Sequence, residues 1–133
     1  MNKVEFYEAK LNELKKEITQ FEEWIKSNNE RIKTAKKELQ LTNENIIVRN
    51  EILLDLETSF YGNDFIDNFG KSNFIVCEIE NHKEILIHAK SGREELQSYI
   101  EDFKKQTKKY NLGISDCKEG ILVIEYLLSE AKK

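Results

Sequence analysis

The stretch "EEWIKSNNERIK", Glu22 to Lys33, decides how the first half of the chain is built. Ser27 followed three residues later by Glu30 has the form of a capping box, the signal for a helix beginning at Asn28. The flanking segments, 3–26 and 28–57, are close in length, as the arms of an antiparallel hairpin would be. The phase of the apolar residues argues the other way. With Val4 at position a of a heptad, the a positions are Val4, Leu11, Ile18, Ile25, Ile32, Leu39, Ile46 and Leu53, all aliphatic. The d positions are Tyr7, Leu14, Phe21, Asn28, Ala35, Thr42, Arg49 and Leu56, large and apolar at first, then small or polar. Ile25 and Ile32 keep phase across Ser27 to Asn29, which an unrelated new helix would do about one time in seven. Neither Gly nor Pro enforces a turn there. The spacing predicts one continuous helix with Asn28 as a polar layer in its seam, and the hairpin is the alternative.

A continuous helix cannot bury an apolar stripe on itself, so it needs a partner helix. The simplest partner is a second copy of the chain. Leu11, Leu14, Ile18, Phe21, Ile25, Asn28 and Ile32 are therefore the expected oligomerisation residues, and Ile at consecutive a positions favours a dimer. Beyond Leu39 the apolar face widens to Ile47, Val48, Ile52 and Leu54, which are expected to pack on the C-terminal half.

That half alternates. Residues 59–73 suggest a connecting loop with a short helical turn near Phe65, its aromatics Phe60, Tyr61, Phe65 and Phe69 closing a core. In 74–80 and 84–90, Ile75, Cys77 and Ile79 would face Ile85, Ile87 and Ala89 across a β-hairpin turning at Asn81-His82-Lys83. Ser91-Gly92-Arg93-Glu94 forms a second capping box, predicting a helix over 92–110 that Asn111-Leu112-Gly113 ends. A last helix follows from Ser115 or Asp116, with "ILVIEYLL" (121–128) assigned to it rather than to a strand. The expected fold is mostly α with a small β-hairpin (α+β). It comprises a coiled-coil arm over 1–57, a loop over 58–73 and a compact ββαα module over 74–133.

Composition narrows the function classes. No Pro and five Gly in 133 residues suit long helices better than a turn-rich β-sandwich. A net charge of −4 disfavours a general nucleic-acid binder, although a local basic face remains open. The longest aliphatic run, Ile121 to Ile124, is far short of a membrane span, and no secretory signal is visible, so a cytoplasmic protein is expected. Cys77 and Cys117 are expected as reduced, buried thiols. Lys far outnumbers Arg, 18 to 3, and Asn and Ile are plentiful, as in AT-rich bacteria, their phages and plasmids.

No motif for catalysis emerges. Cys77, His82, His88 and Cys117 lack metal-ligand spacing, and no P-loop or other phosphate-cradling glycine motif occurs, so no metal, cofactor or catalytic residue is assigned. Two features suggest contact with a macromolecule. Lys104, Lys105, Lys108 and Lys109 form a basic helix face that could meet phosphates, with Glu101 and Asp102 one turn away to neutralise it. Trp24, at g beside the seam, either widens the core or anchors a protein partner. The expected function is that of a non-enzymatic, homo-oligomeric binding protein, a small bacterial, phage or plasmid regulator or inhibitor acting by steric occupation of an unidentified protein. The alternatives are a nucleic-acid-binding regulator using the lysine face, and a small-ligand module with Phe60, Tyr61 and Tyr99 around a pocket.

Overall fold

The computed structural model describes residues 1–62 and 72–133. Helix α1 spans Lys3–Tyr61 and helix α2 spans Asn73–Ala131, 59 residues each. Asn2 starts α1: its Oδ1 accepts the Glu5 N–H at 2.9 Å, and its Nδ2 reaches the Glu5 carboxylate at 3.3 Å. The first bond satisfies one of the backbone donors that a helix start leaves open, and the second ties the two side chains together. At the other end of α1 the Gly62 N–H bonds to the Ser59 carbonyl at 3.1 Å. The readings of Phe65 and Phe69, and of a short helical turn there, lie outside the described residues.

Helix α1 runs through Ser27-Asn28-Asn29 without interruption, and all sixteen of its a and d residues are buried or half-buried. The heptad decides over the capping box because every layer along the helix rewards continuity. A Ser–Glu pair offers only the local bonds of one turn.

The β-hairpin is overturned. Residues 74–90 are helical, and no strand occurs among the described residues. Neither Ser91-Gly92-Arg93-Glu94 nor Asn111-Leu112-Gly113 bounds a helix; both lie inside α2, as does 121–128. A second heptad explains this. Its a positions are Ile79, Leu86, Arg93, Ile100, Thr107, Ile114, Ile121 and Leu128. Its d positions are Ile75, His82, Ala89, Leu96, Phe103, Tyr110, Cys117, Ile124 and Ala131. All seventeen are buried or half-buried. A lone two-stranded hairpin would bury one short face, whereas the helical phase matches the stripe of α1 along its whole length.

The helices run through two compact units: Met1–Lys33 with Glu101–Lys133, and Thr34–Ile100. In the first unit the helices are antiparallel. Glu8 meets Lys132, Leu14 lies against Gly120, Phe21 against Gly113, and Asn28 bonds Thr107, so α2 falls back as α1 advances. In the second unit Arg49 meets His82 and Glu57 meets Lys83 in the same sense. The ion pairs Glu8–Lys132 (3.6 Å) and Glu57–Lys83 (3.5 Å) join e positions of the two helices, so in each unit the e positions flank one side of the seam.

The partner helix that the α1 stripe requires is thus α2 of the same chain. Leu11, Leu14, Ile18, Phe21, Ile25, Asn28 and Ile32 are all buried or half-buried in this seam. Ile47, Val48, Ile52 and Leu54, expected to be covered by the C-terminal half, are exposed instead. Helix α2 occupies only the a and d edge of α1, and no third layer covers the flanks among the described residues.

Candidate interaction surface

In the first unit the surface is organised by the absence of a side chain. A Cβ built on Gly113 would stand 2.8 Å from Cζ of Phe21, too close for any real Cβ. The gap at Gly113 therefore admits the Phe21 ring against the backbone of α2. From there Phe21 meets Tyr110 at 5.9 Å and Trp24 edge-on at 5.7 Å, while Trp24 and Tyr110 rings lie 5.3 Å apart. These separations are those of favourable aromatic pairs. Next along the unit, the Arg31 guanidinium stacks 5.4 Å over the Phe103 ring. Trp24 closes the core with one edge and remains 45% exposed, so it both widens the seam and faces solvent.

The basic face lies on the outer arc of α2 in the same unit. Lys104 pairs with Glu101 at 3.6 Å, the neutralising contact anticipated from sequence. Among the described residues no carboxylate forms an ion pair with Lys105, Lys108 or Lys109. Lys104 (e) and Lys108 (b) lie on the side of the seam marked by Glu8–Lys132. Lys26 and Lys33 of α1, both at b, share that side.

Two polar layers cross the seams. Asn28, 5% exposed, donates from Nδ2 to Thr107 Oγ1 over a long 3.5 Å. Arg49 donates from Nε to Asn45 Oδ1 at 3.1 Å and from Nη1 towards His82 Nδ1 at 3.3 Å. For that second bond Nδ1 must carry no proton, which leaves the ring N–H on Nε2, 3.7 Å from Glu78. Sequence had marked Asn28 and Arg49 as polar d residues. His82 and Thr107 escaped notice because the hairpin and two-helix reading of α2 assigns His82 to a hairpin tip and Thr107 to the lysine-rich face.

Phe60, Tyr61 and Tyr99 are not brought together as a pocket wall. Phe60 and Tyr61 stack edge-on at 5.0 Å at the end of α1, whereas Tyr99 lies 26 residues into α2, beside the seam residue Ile100. Of the two thiols, Cys117 is buried and Cys77 is exposed, correcting the expectation of two buried ones. Cys77 sits at f, the helix position farthest from the seam. The Cys117 Sγ donates to Glu17 Oε2 at 3.4 Å. Burial, then that hydrogen bond and the negative charges of Glu17 and Asp116, push its pKa up, with Lys10 opposing. Such a thiol is held protonated, which is the reverse of nucleophile activation. Among the described residues no three His, Cys, Asp or Glu side chains gather as a metal site, and no helix is long and apolar enough to cross a membrane.

No protein family model, curated protein or solved structure matches this chain.

Proposed function

We propose that the protein works without catalysing a reaction, as a self-associating helical binding protein that occupies the surface of a protein partner. The observation that carries this reading is Trp24. Its half-exposed indole is fixed by Phe21 and Tyr110 beside the Arg31–Phe103 stack. Trp, Tyr and Arg dominate binding energy at protein interfaces, and rings already ordered by packing lose little freedom on binding. In a bacterium, phage or plasmid of the AT-rich kind that the lysine usage suggests, such a surface fits a regulator or inhibitor acting by steric block. The test is affinity capture from the native host with wild type and Trp24→Ala side by side. Proteins retained by wild type and lost with Trp24→Ala, at unchanged helicity, support the reading; identical captures refute it.

A second reading is contact with nucleic-acid phosphates. It is favoured by Lys105, Lys108 and Lys109, which form no ion pair among the described residues, and by Lys26 and Lys33 lying on the same side of the seam as Lys104 and Lys108. It requires binding that weakens steeply with salt and that disappears when Lys104, Lys105, Lys108 and Lys109 become Glu.

A further inference from the structure

The seam residues are turned inward, so self-association needs another surface, and the second unit offers two. Its apolar side chains outside the seam fall on opposite flanks. On the c and g flank lie Leu41, Val48, Ile52, Phe74, Ile85 and Tyr99. On the b and e flank, the side marked by the Glu57–Lys83 pair, lie Ile47, Leu54, Tyr61, Val76 and Ile87. Exposed apolar flanks of this extent mark contact surfaces.

Charge distinguishes the two. The c and g positions of the second unit hold Glu38, Asp55, Glu78 and Glu95, and no Lys or Arg among the described residues. A two-fold dimer places a patch against its own copy, so this flank would set acids against acids. The b and e positions are balanced: Lys36, Lys83 and Lys90 against Glu57, Glu80 and Glu94. On α2 the signs interleave around the apolar centre, with Ile87 between Glu80 and Glu94 in the b row and Lys83 and Lys90 in the e row beside it. A patch carrying both signs around an aliphatic centre can meet itself without like-charge conflict. Ile47 and Ile87, 58% and 68% exposed, fall at about the same level of the antiparallel pair and form that centre. Five such side chains supply on the order of 500 Å² per copy and about 1,000 Å² for a pair, the threshold of a specific interface. The stems of Lys83 and Lys90 add to it.

We infer that the b and e flank of the second unit, centred on Ile47 and Ile87, is covered by the same flank of a second copy, giving a four-helix layer in the dimer. The inference deepens the self-association in the proposed function and is independent of the Trp24 surface.

The test is sedimentation equilibrium from about 1 to 200 μM, with circular dichroism as a check on helicity. Wild type and Trp24→Ala are expected at twice the 15.7 kDa chain mass. Ile47→Glu/Ile87→Glu is expected at the single-chain mass, with dimer affinity reduced at least about 100-fold, because a buried unpaired carboxylate costs several kcal/mol. Val48→Glu/Ile85→Glu, on the other flank, remains dimeric. Should the first double variant lose helicity, surface charge reversals serve instead. Lys83→Glu/Lys90→Glu and Glu80→Lys/Glu94→Lys each dimerise more weakly alone and recover dimer when mixed. A monomeric wild type overturns the inference, whatever foreign partner the flank then takes. So does a dimer that survives Ile47→Glu/Ile87→Glu, one that Val48→Glu/Ile85→Glu dissociates equally, or a mixture that restores nothing. Loss of partner capture in Trp24→Ala without loss of the dimer separates this inference from the Trp24 reading.

Discussion

Gly113 and Gly92 occupy the same heptad position of the same helix, three heptads apart, yet have opposite environments. Gly113, in the first unit, is pressed by the Phe21 ring; a Cβ on Gly92, in the second, would meet nothing within 4 Å. Three heptads on from Phe21 along α1, the corresponding d residue is Thr42. The glycine is identical, so the residue across the seam decides whether it is a structural requirement or a tolerated weakness. The first unit uses its glycine gaps to draw aromatic and aliphatic side chains inward: Leu14 reaches to 3.3 Å of a Cβ built on Gly120. The second unit has small and polar seam residues at several layers and carries much of its apolar surface on its flanks.

If both units are closed by one kind of seam, truncation inside it is costly in each. Leu14→Ala in the first unit and Leu86→Ala in the second should each destabilise by about 2–5 kcal/mol in chemical denaturation. The neighbouring pair Ile46 (4% exposed) and Ile47 sharpens the point. Ile46→Ala should fall in that same range, while Ile47→Ala in the monomeric state stays within about 0.5 kcal/mol. A small loss for both Leu86→Ala and Ile46→Ala would mean that the second unit is not closed by its heptad.

Glycine replacement breaks the comparison most directly. Gly92→Ala should stabilise the protein by about 0.5–1 kcal/mol, since Ala loses less backbone freedom in a helix and finds open space. Gly113→Ala gains the same propensity but must displace an aromatic ring, and overpacking of about 1–3 kcal/mol outweighs it. Phe21→Leu in the Gly113→Ala background should recover part of the loss. Two glycines that respond alike would show that Phe21 does not depend on the gap.

How much of this was legible follows from what kind of residue fills the seam. The α1 heptad was readable because its a positions are uniformly aliphatic, and that regularity overrode the Ser27–Glu30 box. The α2 heptad was equally regular in spacing, but Ala89, His82, Arg93 and Thr107 fill seam positions where an apolar residue would have announced it. Meanwhile Ile75, Cys77, Ile79, Ile85 and Ile87 supplied a local alternation that imitates strands, an ambiguity short apolar runs always carry. Gly92 and Gly113 then looked like boundaries because a glycine's helix cost is local; at Gly113 the compensation lies across the seam in Phe21, and at Gly92 the rest of the helix carries the cost. The rings of the candidate surface were visible singly. Their meeting at Gly113 was not, since it depends on Phe21 and Tyr110 sharing one level of an antiparallel pair.

The polar layer of the first unit gives a smaller effect. Asn28→Ala leaves the half-buried Thr107 without its partner and should cost about 0.5–1.5 kcal/mol. Asn28→Leu combined with Thr107→Val replaces both polar groups with apolar ones of similar size, and should restore or exceed wild-type stability. A large loss in the double variant would mean that the layer does more than satisfy itself.

The two thiols carry the comparison down to single atoms. At pH 8 in the native protein a thiol reagent should modify Cys77 readily and Cys117 only on unfolding, since one is exposed and the other buried. Cys117 also links stability to pH. Its pKa in the folded chain is raised above the ordinary 9.0, chiefly by burial, so the unfolded chain releases this proton first as pH climbs. The stabilising contribution is therefore complete below pH 9.0 and is lost as pH rises from there through the folded value. Thermal unfolding followed from pH 8 to 10.5 should show a falling midpoint in wild type and a flatter one in Cys117→Ala, with Cys77→Ala following wild type. Equal slopes in all three proteins would show that the Cys117 thiol is not held buried beside Glu17 in the folded chain.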